Sequence, residues 1–369
     1  MSTNKLALAV KAATAVLALG MASQASAISF KAGDVDASIY GYTRLSMTYD
    51  IDEDLAGPAQ EGHFTKITGS SATGHFGASA NQSRIGIRLT NPDGVKVNVE
   101  GDFYAGTFRL RHAYGAYNGI LAGQTWSNYT SFVGNTSVLD FQGPAGNAGL
   151  QHRQAQLRYT TGKLSFSVED PKGDLNTGNG LVAKDSSPVL TARYESKFDG
   201  GAFSVAGLTK QNSHDNGISD DSAIAYAAFA AGKIALGDSV TLQGAVNYTN
   251  GANKYLYQSN ADDAYLDGTG DLENISGYGG SLGVSFKMNA GSSINAVVGM
   301  TKVDWDDALA DGLAVGGESE TNRNILVNYQ WVPVKNVKMG VELSNWYTDR
   351  VNGTDDDATR IMFAAQYNF

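Results

Sequence analysis

The chain of 369 residues has no cysteine, only six prolines and only five histidines. Without cysteine there is no disulfide framework and no thiol chemistry, so an exported form must be held by its hydrogen-bonded backbone. Beyond the N-terminal segment no apolar run reaches the roughly 20 residues a membrane-spanning helix needs. Basic charge is scarce as well: 27 Lys and Arg face 37 Asp and Glu, a formal net charge of −10. That balance excludes a general polyanion binder, and no nucleic-acid partner is expected.

What is present instead is glycine, tyrosine and phenylalanine, at 44, 18 and 14 residues. The C-terminal segment is the most informative. Ile361, Phe363, Ala365, Tyr367 and Phe369 fall on every second position, with Ala364, Gln366 and Asn368 among the residues between. One face is greasy, the other is mostly polar, and the strand ends on an aromatic, as in outer-membrane barrels where aromatics form the interface girdle. The N-terminus carries the matching address. Lys5 and Lys11 form a positive region, Ala12 to Met21 a short apolar core, and Ala25-Ser26-Ala27 a small-residue cleavage site. Residues 1–27 therefore read as a secretory signal peptide, too short in its apolar core for an anchor, and residues 28–369 as a single barrel domain.

Alternating segments recur from about residue 36 to the end. Seven short connections carry turn residues, among them Asn91-Pro92-Asp93-Gly94, Asn118-Gly119 and Asp199-Gly200-Gly201. Eight others lie on the opposite side: residues 51–82, 105–107, 127–150, 171–187, 212–220, 251–274, 304–319 and 350–358, all long and polar except the second. Together they separate sixteen strands, an even number with short turns on one side and long loops on the other. The expected fold is an all-β transmembrane antiparallel β-barrel. Its strands show the pattern clearly: Ile85, Ile87 and Leu89 oppose Arg84, Arg88 and Thr90, and Val97 and Val99 oppose Asn98 and Glu100. Lipid-exposed backbone must be fully paired, which only a closed barrel achieves with strands.

Three motifs add a family resemblance. Arg109-Leu110-Arg111-His112-Ala113-Tyr114 runs into Gly123-Gln124-Thr125-Trp126-Ser127-Asn128-Tyr129, and Arg153-Gln154-Ala155-Gln156-Leu157-Arg158-Tyr159 follows a long loop. This series resembles the DcaP-like outer-membrane porins, specifically over roughly residues 80–165 and in general character over the rest. The resemblance implies a channel for dicarboxylic and other organic acids, a homotrimer, and a loop folded into each pore. Two departures stand out. The first strand follows the expected cleavage site almost directly, leaving no room for the coiled-coil extension some members carry. The 105–107 connection is too short to latch over a neighbouring subunit.

A pore's chemistry is its lining, which parity assigns once the apolar face is known. Tyr40, Tyr42 and Arg44 point inward from the first strand, Arg84 and Arg88 from the second, Arg109 and Arg111 from the fourth, Arg158 from the sixth and Arg193 from the eighth. Arg153 sits at a loop junction where parity is unreliable. Residues 80–160 hold seven Lys and Arg against four Asp and Glu, whereas residues 250–322 hold three against eleven. An acidic chain thus carries a basic cluster. Guanidinium groups pair bidentately with carboxylates and stay charged, so an arginine wall makes an anion-selective constriction. The alternative for each arginine is a structural pair with Glu100, Asp102, Glu169 or Glu195.

The loop from Ser127 to Gly149 is the expected constriction element. It mixes Tyr129, Phe132, Leu139 and Phe141 with Gly and Asn, and Asp140 is its one charged residue, expected to oppose the arginine wall. The alternative is an outside loop at a subunit contact. No cofactor or metal is expected. Asp262 to Asp271 fails the calcium-loop pattern, with Tyr265 at the third position and Asn274 at the twelfth, and His63, His75, His112, His152 and His214 show no metal spacing. The loop acids read as a solvated surface alongside outer-membrane lipid and lipopolysaccharide. Gly279-Gly280-Ser281-Leu282-Gly283 matches the letters of a hydrolase motif but falls in an alternating strand, not at a strand-to-helix elbow, so no enzyme is expected. The expected function is passive diffusion of small anionic solutes across a Gram-negative outer membrane. The other readings are a general non-specific porin and a barrel adhesin or enzyme.

Overall fold

Alternation decides which face each strand turns to lipid, and the ladder decides which strand it joins. In the computed structural model, which describes residues 27–369 except Thr177, both give one closed antiparallel barrel. The signal-peptide segment lies outside the described residues apart from Ala27. In chain order the strands are β1 (Ile28–Ala32), β2 (Val35–Asp50), β3 (His75–Ser79), β4 (Arg84–Thr90), β5 (Lys96–Asp102), β6 (Arg109–Tyr117), β7 (Ile120–Trp126), β8 (Arg153–Thr161), β9 (Leu164–Glu169) and β10 (Val189–Phe198). They continue with β11 (Gly201–Asp215), β12 (Asp220–Leu236), β13 (Val240–Asn250), β14 (Ala264–Leu266), β15 (Leu272–Asn274), β16 (Ser276–Asn289), β17 (Ser292–Val303), β18 (Ser319–Val334), β19 (Val337–Arg350) and β20 (Asp355–Asn368).

The barrel has sixteen staves. β3 and β4 are two halves of one stave, both paired with β2 and interrupted at residues 80–83. β1 lies end to end with β20 on the same side of β2: Ile28 faces Ile39, and Phe369 exchanges both backbone hydrogen bonds with Gly41. β14 and β15 form a separate hairpin within an outer loop. Pairing of β20 with β2 closes the ring. Among the described residues no helix is long and apolar enough to cross a membrane; the one α-helix described, α1 (Asp306–Ala310), lies in a loop.

The outward face is apolar and exposed, with Ile85, Val97, Val99, Leu157, Val246, Leu282 and Leu343 among its residues. In a barrel this face is covered by lipid. The inward face is Asn, Gln, Ser, Thr and charge, and it is largely buried because loops fill the lumen. Residues 51–74 fold in as well: Leu55, Phe64 and Ile67 pack with Trp346, Leu326 and Val297, and the Phe64 and Trp346 rings lie 4.8 Å apart.

Two connections expected to be long are tight. β11 runs to Asp215 and β12 starts at Asp220, while only residues 351–354 separate β19 from β20. The ends of these strands carry polar residues on both faces, so they read as loop although the ladder continues above the apolar band.

Candidate functional site

The lumen divides into an arginine wall and a loop-covered wall. On the first, β4, β5 and β6 bring Arg84, Asp102 and Arg109 into one register line, with Glu100 and Asp102 inward from β5. A β-bulge follows on β6. Glu100 faces His112 and Gly101 faces Leu110, leaving Arg111 as the extra residue. Such a bulge re-aims side chains, and here Arg111 and His112 both end buried on the lumen side. On the outer face, the Gln124 amide donates to the carbonyls of Leu110 and Arg111 at 3.3 and 3.2 Å.

The arginines fall into two chemical states. Arg109 Nε lies 2.7 Å from Asp102 Oδ1, and Arg111 bridges Glu100 at 2.8 Å and Asp102 at 2.7 Å. Arg84 approaches Glu100 at 3.5 Å and stacks on Tyr42 with its guanidinium carbon 4.6 Å from the ring centre. These three are partly or fully neutralised. Among the described residues, Arg44, Arg88, Arg153, Arg158 and Arg193 enter no ion pair. Arg88 stacks on Tyr40 at 3.8 Å and donates to Asn98 Oδ1 at 3.3 Å, and the Tyr40 hydroxyl donates to the same oxygen at 2.9 Å. Arg153 stacks on Trp126 at 4.5 Å. Arg158 donates to Gln156 Oε1 at 2.8 Å and to the Trp126 carbonyl, and Arg193 donates to the Thr130 carbonyl.

Opposite them, residues 127–152 run along the inside of the barrel. Barrel side chains bind this loop's backbone at step after step. Glu342 accepts from the Leu139 and Asp140 amides at 2.7 and 2.9 Å. Asn324 accepts from the Ala145 amide and donates to the Gly143 carbonyl, both at 3.0 Å. Asn247 does the same for Gly149 and Gly146, at 3.1 and 2.7 Å. Arg44 donates to the Leu139 carbonyl, and Asn328 and Gln330 both donate to the Ser137 carbonyl. Approach is close enough to require glycine: a Cβ on Gly134 would sit 2.2 Å from the Gly244 carbonyl oxygen, and one on Gly146, at φ +70°, 2.4 Å from the Gly280 nitrogen.

Asp140 does not face the arginine wall. It is buried against Arg360, at 3.3 Å, and accepts from the Gly62 amide at 2.8 Å. Arg360 is itself held by both oxygens of Asp50, at 2.6 and 2.8 Å. Parity along the last strand turns Arg360 inward, but its partner could not be read without the fold of the loop. Arg153 sits where the loop rejoins β8, at the first residue of the strand. Ser281 of the hydrolase-like motif lies mid-strand in β16, its hydroxyl donating to Asn147 Oδ1 at 3.2 Å.

A closed barrel with a loop stitched inside it is a porin architecture, and the comparisons agree. The profile of the DcaP outer membrane protein family matches residues 16–369. The chain belongs to that family. The crystal structure of the outer membrane channel DcaP of Acinetobacter baumannii superposes with a TM-score of 0.82 at 25% identity, covering 92% of this chain and 99% of that one. An anion-selective porin from Comamonas acidovorans shares the fold at a TM-score of 0.60 and 12% identity, over 91% of this chain and 100% of that one. OmpF of Salmonella typhi does so at 0.57 and 14%, over 93% and 100%. No curated protein sequence matches the chain. As a DcaP family member this protein is an outer-membrane porin channel, and its location is the outer membrane.

Proposed function

We propose that this porin gives passive, anion-favouring diffusion of small organic acids, dicarboxylates foremost, and catalyses no reaction. The observation that carries the reading is the set of guanidinium groups in no ion pair, Arg88, Arg153, Arg158 and Arg193, beside a loop with almost no charge of its own. A carboxylate entering from outside meets Arg153, which is held over Trp126 but keeps donors free, and passes toward Arg158, Arg193 and Arg88. Each offers a two-pronged bond strong enough to strip part of the hydration shell and weak enough to release. Arg84, Arg109 and Arg111 shape the wall, with Tyr40 and Tyr42 stacked beneath Arg88 and Arg84.

The same reading places the chain in the membrane as a homotrimer, after removal of residues 1–27, in contact with lipid and lipopolysaccharide. One observation favours a less selective general porin as the second reading: Arg109 and Arg111 spend their charge on Glu100 and Asp102. Swelling of proteoliposomes separates the two. Succinate should enter faster than a neutral solute of equal size and much faster than a cation of that size. Equal rates for all three would leave the general porin.

A further inference from the structure

Below the loop, on the side of the short turns, the barrel carries a second group of cations. Lys197 on β10 faces Ala202 on β11, and Ala202 faces Lys233 on β12. All three lie on the inward face: Phe198 and Phe203 are exposed on the outside, and Ala227, Phe229 and Ala231 alternate inward on β12. Two lysines thus flank one small neutral residue on a single register line, with their strands about 10 Å apart from the usual strand spacing. Arg193 stands four positions above Lys197 on the same face, and Arg158 belongs to the neighbouring strands. Lys197, Lys233, Arg158 and Arg193 enter no ion pair among the described residues. Two carboxylates lie near them: Glu195 accepts from Ser131 Oγ at 3.2 Å, and Glu169 accepts from Ser127 Oγ and the Asn128 amide, both at 2.7 Å.

The contrast with the constriction is chemical. There the line Arg84, Asp102, Arg109 repeats the same cation–centre–cation order, but the centre is an acid that takes up the charge. Here the centre is a methyl group. The level is fixed by the loop: Gln243, the register partner of Lys233, donates to Thr136 Oγ1 at 3.1 Å on the loop's underside. Short turns face the periplasm in barrels of this kind.

We propose that Lys197 and Lys233, with Arg193 and Arg158 above them, form an anion site on the periplasmic side of the constriction, for a compact anion of two or more charges such as a tricarboxylate. The proposal rests on the anion-favouring reading of the lumen. A multivalent anion bridges the two lysines across Ala202, whereas a monovalent one satisfies only one of them. The site holds such anions just inside the exit, so a polyanion presented from the periplasm occupies it before meeting the loop.

The test uses the full-length protein inserted in one orientation in a planar bilayer, with citrate added to one side at a time. Citrate should block from the periplasmic side at lower concentration than from the outer side, and chloride should not. In Lys197→Gln/Lys233→Gln, periplasmic block should weaken about tenfold while outer-side block is unchanged; Lys197→Arg/Lys233→Arg should restore it. Equal block from both sides, or block untouched by the double Gln change in a barrel that still runs as a folded species on a gel, overturns the site. A cation-selective reversal potential in the unmodified channel is a separate result, and it would remove the anion reading on which the site rests.

Discussion

The wall built by β4 to β10 and the wall built by β13 to β20 enclose one lumen with different chemistry. The first presents arginines. The second presents Asn, Gln, Ser, Glu342 and Arg360, much of it consumed in holding the loop. Part of the charge on the first wall, at Arg88 and Arg153 above all, is left without an acidic partner, whereas polarity on the second is spent on structure. A bare count of polar lumen residues would miss this division, because an amide bonded to a loop carbonyl offers little to a passing anion. Within the arginine wall the same distinction recurs between Arg111, locked between two acids, and Arg153, stacked on a ring and otherwise free.

Substitutions sharpen the comparison. The largest effect belongs to Arg111→Ala, which leaves Glu100 and Asp102 buried with less counter-charge; breaking such a pair costs about 3–5 kcal/mol. Urea unfolding should show that loss, and selectivity should move toward cations. Glu342→Ala comes next. It strips the acceptor from two loop amides and from Asn328, a loss of about 3 kcal/mol for buried donors left without a partner. Its single-channel trace should be noisier and of different conductance, because the loop is no longer fixed at its middle. Arg153→Gln should leave stability nearly unchanged and reduce the anion preference. A stability loss as large as that of Arg111→Ala would break the division between free and locked arginines.

The smallest effect lies in the outer loop of residues 51–74. Burial pushes the Glu53 carboxyl up, but the Thr68 and Gly69 amides, at 2.7 and 2.8 Å, hold it below the usual carboxylate range. A carboxyl lowered on folding stabilises above its unfolded pKa, and that contribution is lost as pH falls through the lowered value. Exchange protection of those two amides should therefore decline in acid, and Glu53→Gln should remove the pH dependence.

Much of this was legible in the chain. Period-2 alternation places Arg84, Arg88, Arg109 and Arg158 on the inner face, and the alternation of turn and loop lengths counts the staves. What alternation cannot supply is register. That Arg109 meets Asp102, or that Lys197 and Lys233 share a line across Ala202, follows only once the ladders are aligned. The bulge at Arg111 is invisible to a strict period of two, and beyond it His112 turns inward. The partner of Asp140 is hidden for a different reason: a loop folded into a lumen picks its partners by packing against the wall, and Arg360 lies 220 positions away in the chain.

The most direct measurement of the central claim is the reversal potential of the purified channel in a planar bilayer under a KCl gradient, at low and then high ionic strength. The account predicts a potential of the sign set by chloride, shrinking as salt shortens the Debye length from about 10 Å at 0.1 M to about 3 Å at 1 M. A potential of the opposite sign, or one near zero at low salt, would contradict it.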